Sequence, residues 1–424
     1  MTRTVRGTRL TAALLAVLAT GGLAACTPDA PTDAPTGERV EVFTWWASGS
    51  EKIGLDALVE VFEAQHPDVA FVDAAVAGGA GSAAKDLLDS RLAAGDPPDT
   101  FQAHAGAELA DYVAAGRLAD VEDVYDEEGL RDLFPPALLD RLTVDGRVYA
   151  VPSNIHRANV VWANPAVLEA AGLEPDATYA SVDEWIVALE AVEATGRTPL
   201  ALATTWTQVH LLETVLLADL GPDGYAGLWD GGTDWAGPEV SAALDDFDAL
   251  LALSNADRDG LDWPDATQRV IDGEAAFNVM GDWAVAAFEA AGLEPGRDVL
   301  HFPVPGTAGT FDFLADAFTL PVGASNPDGA HAWLATVASV EAQTALSAEK
   351  GSIPARADVD PEDLSAYQRS AVTSFDEDVV VPSLAHGAAT APATLTAVST
   401  AVERFTTGLT DVSTLQSELA AAAG

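Results

Sequence analysis

The chain has 424 residues, more than a single hydrophobic core normally supports, and this length predicts at least two domains. Its 20 Lys and Arg residues are outnumbered by 66 Asp and Glu residues, and the formal charge of −46 repels phosphate backbones and argues against nucleic acid as a partner. The single cysteine excludes an intrachain disulfide and a thiolate metal cluster.

The N-terminus has the pattern of a secretory signal. Arginines precede an apolar stretch from Leu10 to about Leu23, which is too short to span a bilayer stably. This stretch ends in Leu23-Ala24-Ala25-Cys26, which resembles a bacterial lipobox and implies cleavage before Cys26 and diacylation of its thiol. We therefore expect residues 1–25 to be a lipoprotein signal peptide and residues 26–38 a Pro/Thr-rich tether.

Folding is predicted to begin near Arg39 with a strand that ends in Trp45 and Trp46. Ligands usually bind at the carboxyl ends of strands in an α/β sheet. Adjacent strand residues point to opposite faces, so we expect one indole ring in the core and the other on a ligand.

A second candidate strand end lies in Asp96–Gly106 (DPPDTFQAHAG). Gln102 and His104 are two positions apart and therefore face the same side, where we expect them to contact a ligand. A structural histidine with satisfied hydrogen bonds is the alternative. Upstream, Gly79–Ala84 fits the loose dinucleotide pattern G-x-G-x-x-A, but a tight glycine turn explains it equally well, and no cofactor is expected.

The segment Arg147–Pro165 (RVYAVPSNIHRANVVWANP) is interpreted as a crossing between two lobes. Pro152 limits strand pairing, so we expect a connector here rather than a paired strand. Between its apolar runs lie side chains that are costly to bury without partners such as ligand hydroxyls: Asn154, His156, Arg157 and Asn159. An ordinary polar loop is the alternative.

The next part of the chain is predicted to be mostly helical. Trp206 is placed at the end of a short strand, and Trp229 lies in a Gly/Asp-rich stretch (LWDGGTDW) that suits a loop presenting aromatic rings. The segment Asn255–Ala266 partly mimics a calcium loop. Because Ala266 stands where such a loop has its bidentate Glu, we expect a solvated turn and no metal.

The segment Ala275–Trp283 (AAFNVMGDW) is predicted to be a strand ending at Asp282 beside Trp283. An ionised Asp282 could accept hydrogen bonds from two ligand hydroxyls while the indole covers apolar CH groups. Capping of a helix by Asp282 is the competing interpretation. Two further crossings are predicted, at Phe311–Pro321 and at Gly351–Arg356.

Four stretches together resemble the extracellular solute-binding proteins (family 1) of bacterial sugar ABC transporters, most closely the glucose- and mannose-binding type. They are the lipobox with its tether, GDPPDTFQAHAG, VYAVPSNIHRANVVWANP with FNVMGDWA, and EKGSIPARADVD. The resemblance implies a two-lobe α/β periplasmic-binding-protein-like fold with three inter-lobe crossings, a central ligand cleft and no catalysis. It implies an N-terminal lobe of residues 39–152 and 318–351 and a C-terminal lobe of residues 157–314 and 354–424.

The resemblance also implies site residues and partners. The predicted ligand contacts are Trp45, Trp46, Gln102, His104, His156 and Asp282, less firmly Trp206, Trp229 and His386, and also Asp316, although Ala317-Phe318 departs from the family pattern D-[ST]-F. The implied ligand is glucose or a related aldohexose, and the implied partners are the permease subunits. We expect a monomer held by the lipid on Cys26 at the extracellular face of the cytoplasmic membrane, without cofactor or metal.

Two other functional classes remain open from the sequence. A surface-anchored glycoside hydrolase needs two carboxylates across a glycosidic bond, and a chain with 66 acidic residues has enough carboxylates for such a pair. The chain nevertheless lacks G-x-S-x-G, H-E-x-x-H, C-x-x-C and a Walker lysine. A carbohydrate-binding adhesin is disfavoured by the tryptophans at predicted strand ends.

Overall fold

The computed structural model describes residues 38–77 and 82–424. The predicted signal peptide, Cys26 and nearly all of the tether lie outside this part of the chain, as do residues 78–81 of the glycine turn.

The strands follow one another as β1 (Arg39–Phe43), β2 (Ala70–Asp73), β3 (Thr100–His104), β4 (Leu118–Ala119), β5 (Thr143–Val144), β6 (Arg147–Val148), β7 (Ala150–Arg157), β8 (Val160–Ala163), β9 (Thr198–Ala201), β10 (Ala275–Val279), β11 (Leu300–Pro303), β12 (Thr310–Pro321), β13 (Ile353–Pro354) and β14 (Val379–Pro382).

The helices are α1 (Gly49–Gln65), α2 (Ser82–Ala94), α3 (Ala107–Ala114), α4 (Glu122–Glu128), α5 (Pro136–Arg141), α6 (Pro165–Ala170), α7 (Val182–Glu193), α8 (Thr205–Asp230), α9 (Pro238–Ala252), α10 (Trp263–Ile271), α11 (Val285–Ala290), α12 (Pro327–Ala338), α13 (Val340–Lys350), α14 (Ala366–Glu377), α15 (Pro392–Thr406) and α16 (Val412–Ala423). None of the described helices is long and apolar enough to cross a membrane.

Two main sheets carry most of the strands. The larger sheet has the order β13-β7-β12-β3-β1-β2, and β4 and β14 also pair with β12. The second sheet has the order β11-β8-β10-β9, and β5 and β6 form a separate hairpin. The buried apolar residues divide into two clusters, one including Trp46 and Phe318 and the other including Trp185 and Phe277.

Strand β12 is the hub of the larger sheet. All 12 of its residues are buried, which is the pattern of a strand covered on both faces. Its first residues pair with β14, and its later residues pair with β7 on one side and β3 on the other. In this register Asp316 lies opposite both His104 and Asn154. Three polar residues from distant parts of the sequence are thereby brought to one place.

The prediction that Pro152 keeps its segment out of a sheet is wrong. Strand β7, which contains Pro152, pairs with β12 on one side and β13 on the other. The ladder accommodates the proline at a register shift between Asp316 and Ala317, and the Pro152 carbonyl accepts a hydrogen bond from Gln343 Nε2 at 2.8 Å. A bulge of this kind removes the need for the N–H that proline lacks.

The loop that resembles a calcium site uses its polar groups internally. The Asn255 side chain donates to Asp257 at 2.9 Å and accepts from the backbone N–H of Leu202 at 2.8 Å. The Asp257 carboxylate in turn accepts two hydrogen bonds from the Arg269 guanidinium, at 2.9 and 2.6 Å. This carboxylate is therefore engaged by an arginine.

Candidate functional site

A small cavity of about 30 Å³ lies where β3, β7 and β12 meet helices of both halves of the chain. This volume accommodates roughly two water molecules. The wall combines aromatic rings with ionisable groups and consists of Trp45, Glu51, His104, His156, Trp206, Trp263, Trp283, Leu314, Asp316, Lys350 and His386.

Asp316 is the anionic centre of the cavity wall. Its Oδ1 atom accepts a hydrogen bond from Gln102 Nε2 at 2.8 Å, and its Oδ2 atom accepts one from Lys350 Nζ at 3.0 Å. Burial by itself would raise the pKa of the Asp316 carboxyl, but the neighbouring Lys350 ammonium outweighs it and holds the pKa well below its usual range. Asp316 is therefore ionised at neutral pH.

His156 connects this centre to Asp282. Its Nε2 atom faces two donors, Lys350 Nζ at 2.9 Å and Asn154 Nδ2 at 2.8 Å. Its Nδ1 atom faces a carboxylate oxygen of Asp282, and the other Asp282 oxygen accepts from the backbone N–H of Arg157 at 3.0 Å. Because an ammonium and the NH2 group of an amide can only donate, these contacts place the imidazole proton on Nδ1.

Asp282 lies behind the cavity wall. It is fully buried, and it makes no side-chain cap to the short 3-10 helix that starts at its own position. In this structure Asp282 therefore neither lines the cavity nor caps a helix, the two positions that its sequence context suggests. It holds His156 in place from the side opposite to Lys350.

The His104 imidazole, like that of His156, contacts a buried carboxylate. Its Nδ1 atom lies 3.0 Å from Glu108 Oε2, which also accepts from Lys85 Nζ at 2.7 Å. Burial would raise the pKa of the Glu108 carboxyl, but Lys85 and His104 overcome it and lower the pKa to about 2. The Trp45 ring packs on His104, with ring centroids 4.8 Å apart.

The remaining wall is aromatic. The ring centroids of Trp283 and His386 are 5.0 Å apart, and Trp206 lies 6.5 Å from Trp283 and 6.0 Å from His386. Trp206 does not end a strand, since β9 stops at Ala201 and Trp206 lies in the first turn of α8. Its helix places the indole at the cavity wall.

The structure brings most of the predicted ligand contacts together. Those that line the cavity are Trp45, His104, His156, Trp206, Asp316 and His386. Others support the wall from behind: Trp46 packs fully buried against Phe318, and Gln102 holds Asp316.

Trp229 is not brought to the cavity. The stretch predicted to be an aromatic loop begins as the last turn of α8, and Trp229 packs against Trp235 with ring centroids 5.4 Å apart. The indole N–H of Trp235 donates to the Leu228 carbonyl at 3.0 Å. The two indoles therefore pack on each other in the second apolar cluster.

Trp283, expected beside Asp282 to cover apolar CH groups of a ligand, does line the cavity, whereas sequence reasoning missed four other residues of the wall: Glu51, Trp263, Leu314 and Lys350. Lys350 adjoins Gly351, the first residue of a predicted crossing, and this adjacency was the available signal. No pattern distinguishes Glu51 from the other acidic residues. Burial raises the pKa of its carboxyl to about 7, although nearby Lys350 opposes that shift.

An open groove of about 770 Å³ adjoins the cavity at Trp206, which lines both. Its walls include carboxylates and hydroxyls among apolar side chains, for example Asp86, Glu108, Thr205 and Asp259. Side chains of this kind form hydrogen bonds with polyhydroxylated molecules. The groove therefore offers room for parts of a ligand that exceed the cavity.

The chain is similar in sequence to extracellular binding proteins. A family model described as bacterial extracellular solute-binding protein matches residues 48–344. An uncharacterized ABC transporter extracellular-binding protein of Pyrococcus horikoshii is 34% identical over 385 residues, covering 89% of this chain and 86% of the relative. A probable sugar-binding periplasmic protein of Brucella suis is 32% identical over 419 residues, covering 96% and 97%.

The fold is also found among solved structures. A chitin oligosaccharide binding protein superimposes with a TM-score of 0.80 at 22% identity, covering 91% of this chain and 98% of the other. At this identity the match concerns the fold alone. The predicted two-lobe α/β fold of periplasmic binding proteins is thereby confirmed.

Proposed function

The chain belongs to the bacterial extracellular solute-binding protein family, and we propose that it captures a sugar and delivers it to an ABC importer. The family and its neighbours are solute-binding proteins and not enzymes, so the glycoside hydrolase alternative is rejected.

The observation that carries the sugar proposal is the composition of the cavity wall. A sugar ring presents apolar CH faces, which indole rings cover, and hydroxyls, which need both donors and acceptors. Trp45, Trp206 and Trp283 supply the rings, while the Asp316 carboxylate and the Lys350 ammonium supply the polar groups. The probable sugar-binding protein of Brucella suis supports this ligand class.

Ligand entry requires the walls of the cavity to separate. A space of about 30 Å³ holds no hexose, so we propose that the lobes open to admit the ligand and close on it. The proposed lobes are residues 39–152 with 318–351, and residues 157–314 with 354–424. Support comes from the strands, because β1, β2 and β3 belong to the larger sheet and β8 to β11 form the second.

Within the sugars, we propose glucose or a related aldohexose as the ligand. A thermal-shift screen of the full chain with glucose, mannose, galactose, xylose, maltose and chitobiose tests the proposal. A ligand at 100 times its dissociation constant stabilises the folded state by about 2.7 kcal/mol. We expect that stabilisation with an aldohexose, and stabilisation by the disaccharides alone would contradict this choice.

Two variants on the same helix sharpen the screen. Trp206→Ala removes a ring of the cavity wall, whereas Trp229→Ala removes one that packs against Trp235. We expect the ligand-induced shift to shrink in the first variant and to persist in the second. If Trp229→Ala loses the ligand-induced thermal shift and Trp206→Ala keeps it, the ligand does not bind in this cavity.

The family is extracellular, and we propose that the lipid on Cys26 holds this monomeric protein at the outer face of the cytoplasmic membrane. The lipobox pattern supports the anchor. The proposed partners are the permease subunits that receive the sugar.

A further inference from the structure

His386 lines the cavity with one ring nitrogen engaged and the other free. Its Nδ1 atom lies 2.7 Å from Ser383 Oγ. Its Nε2 atom has no hydrogen-bond partner among the described residues, although the residue is only 5% exposed. A buried ring nitrogen without a partner, on a residue that lines a cavity, is available to a ligand.

The hydrogen bond between Ser383 and His386 continues to a buried carboxyl. Ser383 Oγ lies 3.0 and 3.1 Å from the two side-chain oxygens of Glu213, and the backbone N–H of Ala385 donates to Glu213 Oε2 at 2.7 Å. Both Ser383 and Glu213 are fully buried. A serine hydroxyl has one hydrogen, so it can donate either to Glu213 or to His386, but not fully to both.

The direction of these hydrogen bonds depends on whether Glu213 or the neighbouring Asp312 holds a proton. Asp312 is fully buried beside Glu213, and neither of its oxygens has a donor among the described residues. Burial first, and then the neighbouring Glu213 carboxyl, raise the pKa of Asp312 well above its usual range. Burial raises the pKa of Glu213 as well, to about 7, but the backbone N–H of Ala385 and the Ser383 hydroxyl lower it. Because these donors stabilise a carboxylate at Glu213 and Asp312 has none among the described residues, the shared proton belongs on Asp312 and Glu213 is the ionised member of the pair.

With Glu213 ionised, the remaining protons are determined. Ser383 donates its hydrogen to Glu213, so its oxygen must accept from His386 Nδ1–H. Burial and the neighbouring His210 lower the pKa of His386 well below its usual range, so the ring is neutral. A neutral ring protonated at Nδ1 carries a lone pair on Nε2.

We propose that Glu213 and Ser383 are positioning residues that fix the tautomer of His386, so that Nε2 accepts a hydrogen bond from a ligand hydroxyl. The identity of the ligand group rests on the proposed function, but the tautomer does not. All three residues come after β8 in the chain. Glu213 lies on α8, and Ser383 and His386 follow β14.

Nitrogen NMR of the ligand-free full chain, labelled with [15N]histidine, reads the tautomer directly. The chain has seven histidines, so the spectrum is simple to assign by substitution. His210 is an internal reference, because its Nε2 lies 3.0 Å from the Ala158 carbonyl and must carry the proton. We expect His386 to show the opposite pattern, with Nδ1 protonated and Nε2 unprotonated.

Variants separate positioning from general damage. Ser383→Ala should mix or reverse the His386 tautomer, and Ser383→Thr should restore it. Ser352→Ala is the matched control, since Ser352 is also fully buried and its hydroxyl has no partner among the described residues. Where a sugar binds, Ser383→Ala should weaken binding by about three- to tenfold and Ser352→Ala should leave it unchanged.

The outcomes distinguish this inference from the proposed function. Protonation of His386 at Nε2 in the wild-type protein overturns the inference, as does an unchanged tautomer in Ser383→Ala. If His386 shows the expected tautomer but the protein binds no sugar, the positioning role stands and the sugar is rejected as the ligand.

Discussion

Replacing Lys350 with methionine tests whether the buried charges of the cavity wall depend on one another. Lys350 is 2% exposed, and its ammonium lies 3.0 Å from Asp316 Oδ2, 2.9 Å from His156 Nε2 and 4.3 Å from the centroid of the Trp46 ring. Methionine keeps most of the apolar stem and removes the charge. Asp316 would then remain buried as a carboxylate, with Gln102 as its amide donor.

The expected cost is large because the uncompensated charge stays in the interior. Removing one partner of a buried ion pair typically costs about 3–5 kcal/mol of unfolding free energy. In Lys350→Met the pKa of Asp316 should rise, because the ammonium that lowers it is gone. The wild-type advantage should therefore be largest near neutral pH and should narrow as the pH falls through the raised pKa of Asp316 in the variant, where this carboxyl becomes protonated.

Urea unfolding followed by tryptophan fluorescence, without sugar, measures this effect at pH 7 and at pH 4. Asp316→Asn and the double variant Lys350→Met/Asp316→Asn complete the cycle. We expect the double variant to be more stable than Lys350→Met alone, since it removes the stranded charge. A Lys350→Met protein within 1 kcal/mol of the wild type at pH 7 would refute this reasoning.

Three further predictions concern Asp282, Glu108 and Cys26. Asp282→Ala leaves two donors unpaired, on His156 and Arg157, and each should destabilise the ligand-free protein by about 1–3 kcal/mol. Asp282→Asn keeps an acceptor, so its loss of stability in urea unfolding should be smaller. The pKa of Glu108 is lowered from its ordinary value of 4.5 to about 2, so Glu108 contributes about 3 kcal/mol above pH 4.5 that is lost as the pH falls toward 2. Glu108→Gln should remove that dependence, and an identical pH profile would contradict the assignment. Cys26→Ala should abolish labelling by an acyl-chain probe in cells, and equal label on the variant would end the lipobox hypothesis.

The sequence predicted those features that depend on local pattern. His104 could be placed because ligands bind at strand ends, whereas the sequence left open which of Trp45 and Trp46 would line the site. The position of Asp282 behind the cavity wall was not foreseen, because its partner His156 is 126 positions away and no local pattern indicates that contact.

Other errors came from rules that tertiary structure overrides. The proline rule failed for Pro152 because a register shift in β12 accommodates it. The Gly/Asp-rich composition around Trp229 predicted a loop, but the helix resumes after a kink at Gly221, whose φ of 68° an L-residue rarely adopts, and Trp229 lies in its last turn. Lys350 was missed because its pairing with Asp316 is set by the packing of α13 against the larger sheet.

The central claim, that a sugar binds in the cavity beside Trp45, is tested most directly by calorimetric titration of the full chain with glucose. The wild-type protein should bind one glucose per chain, and Trp45→Ala should bind it about tenfold more weakly, because the ring that packs on His104 no longer covers the sugar. Equal affinity in the two proteins, or no heat of binding in the wild type, would contradict the account.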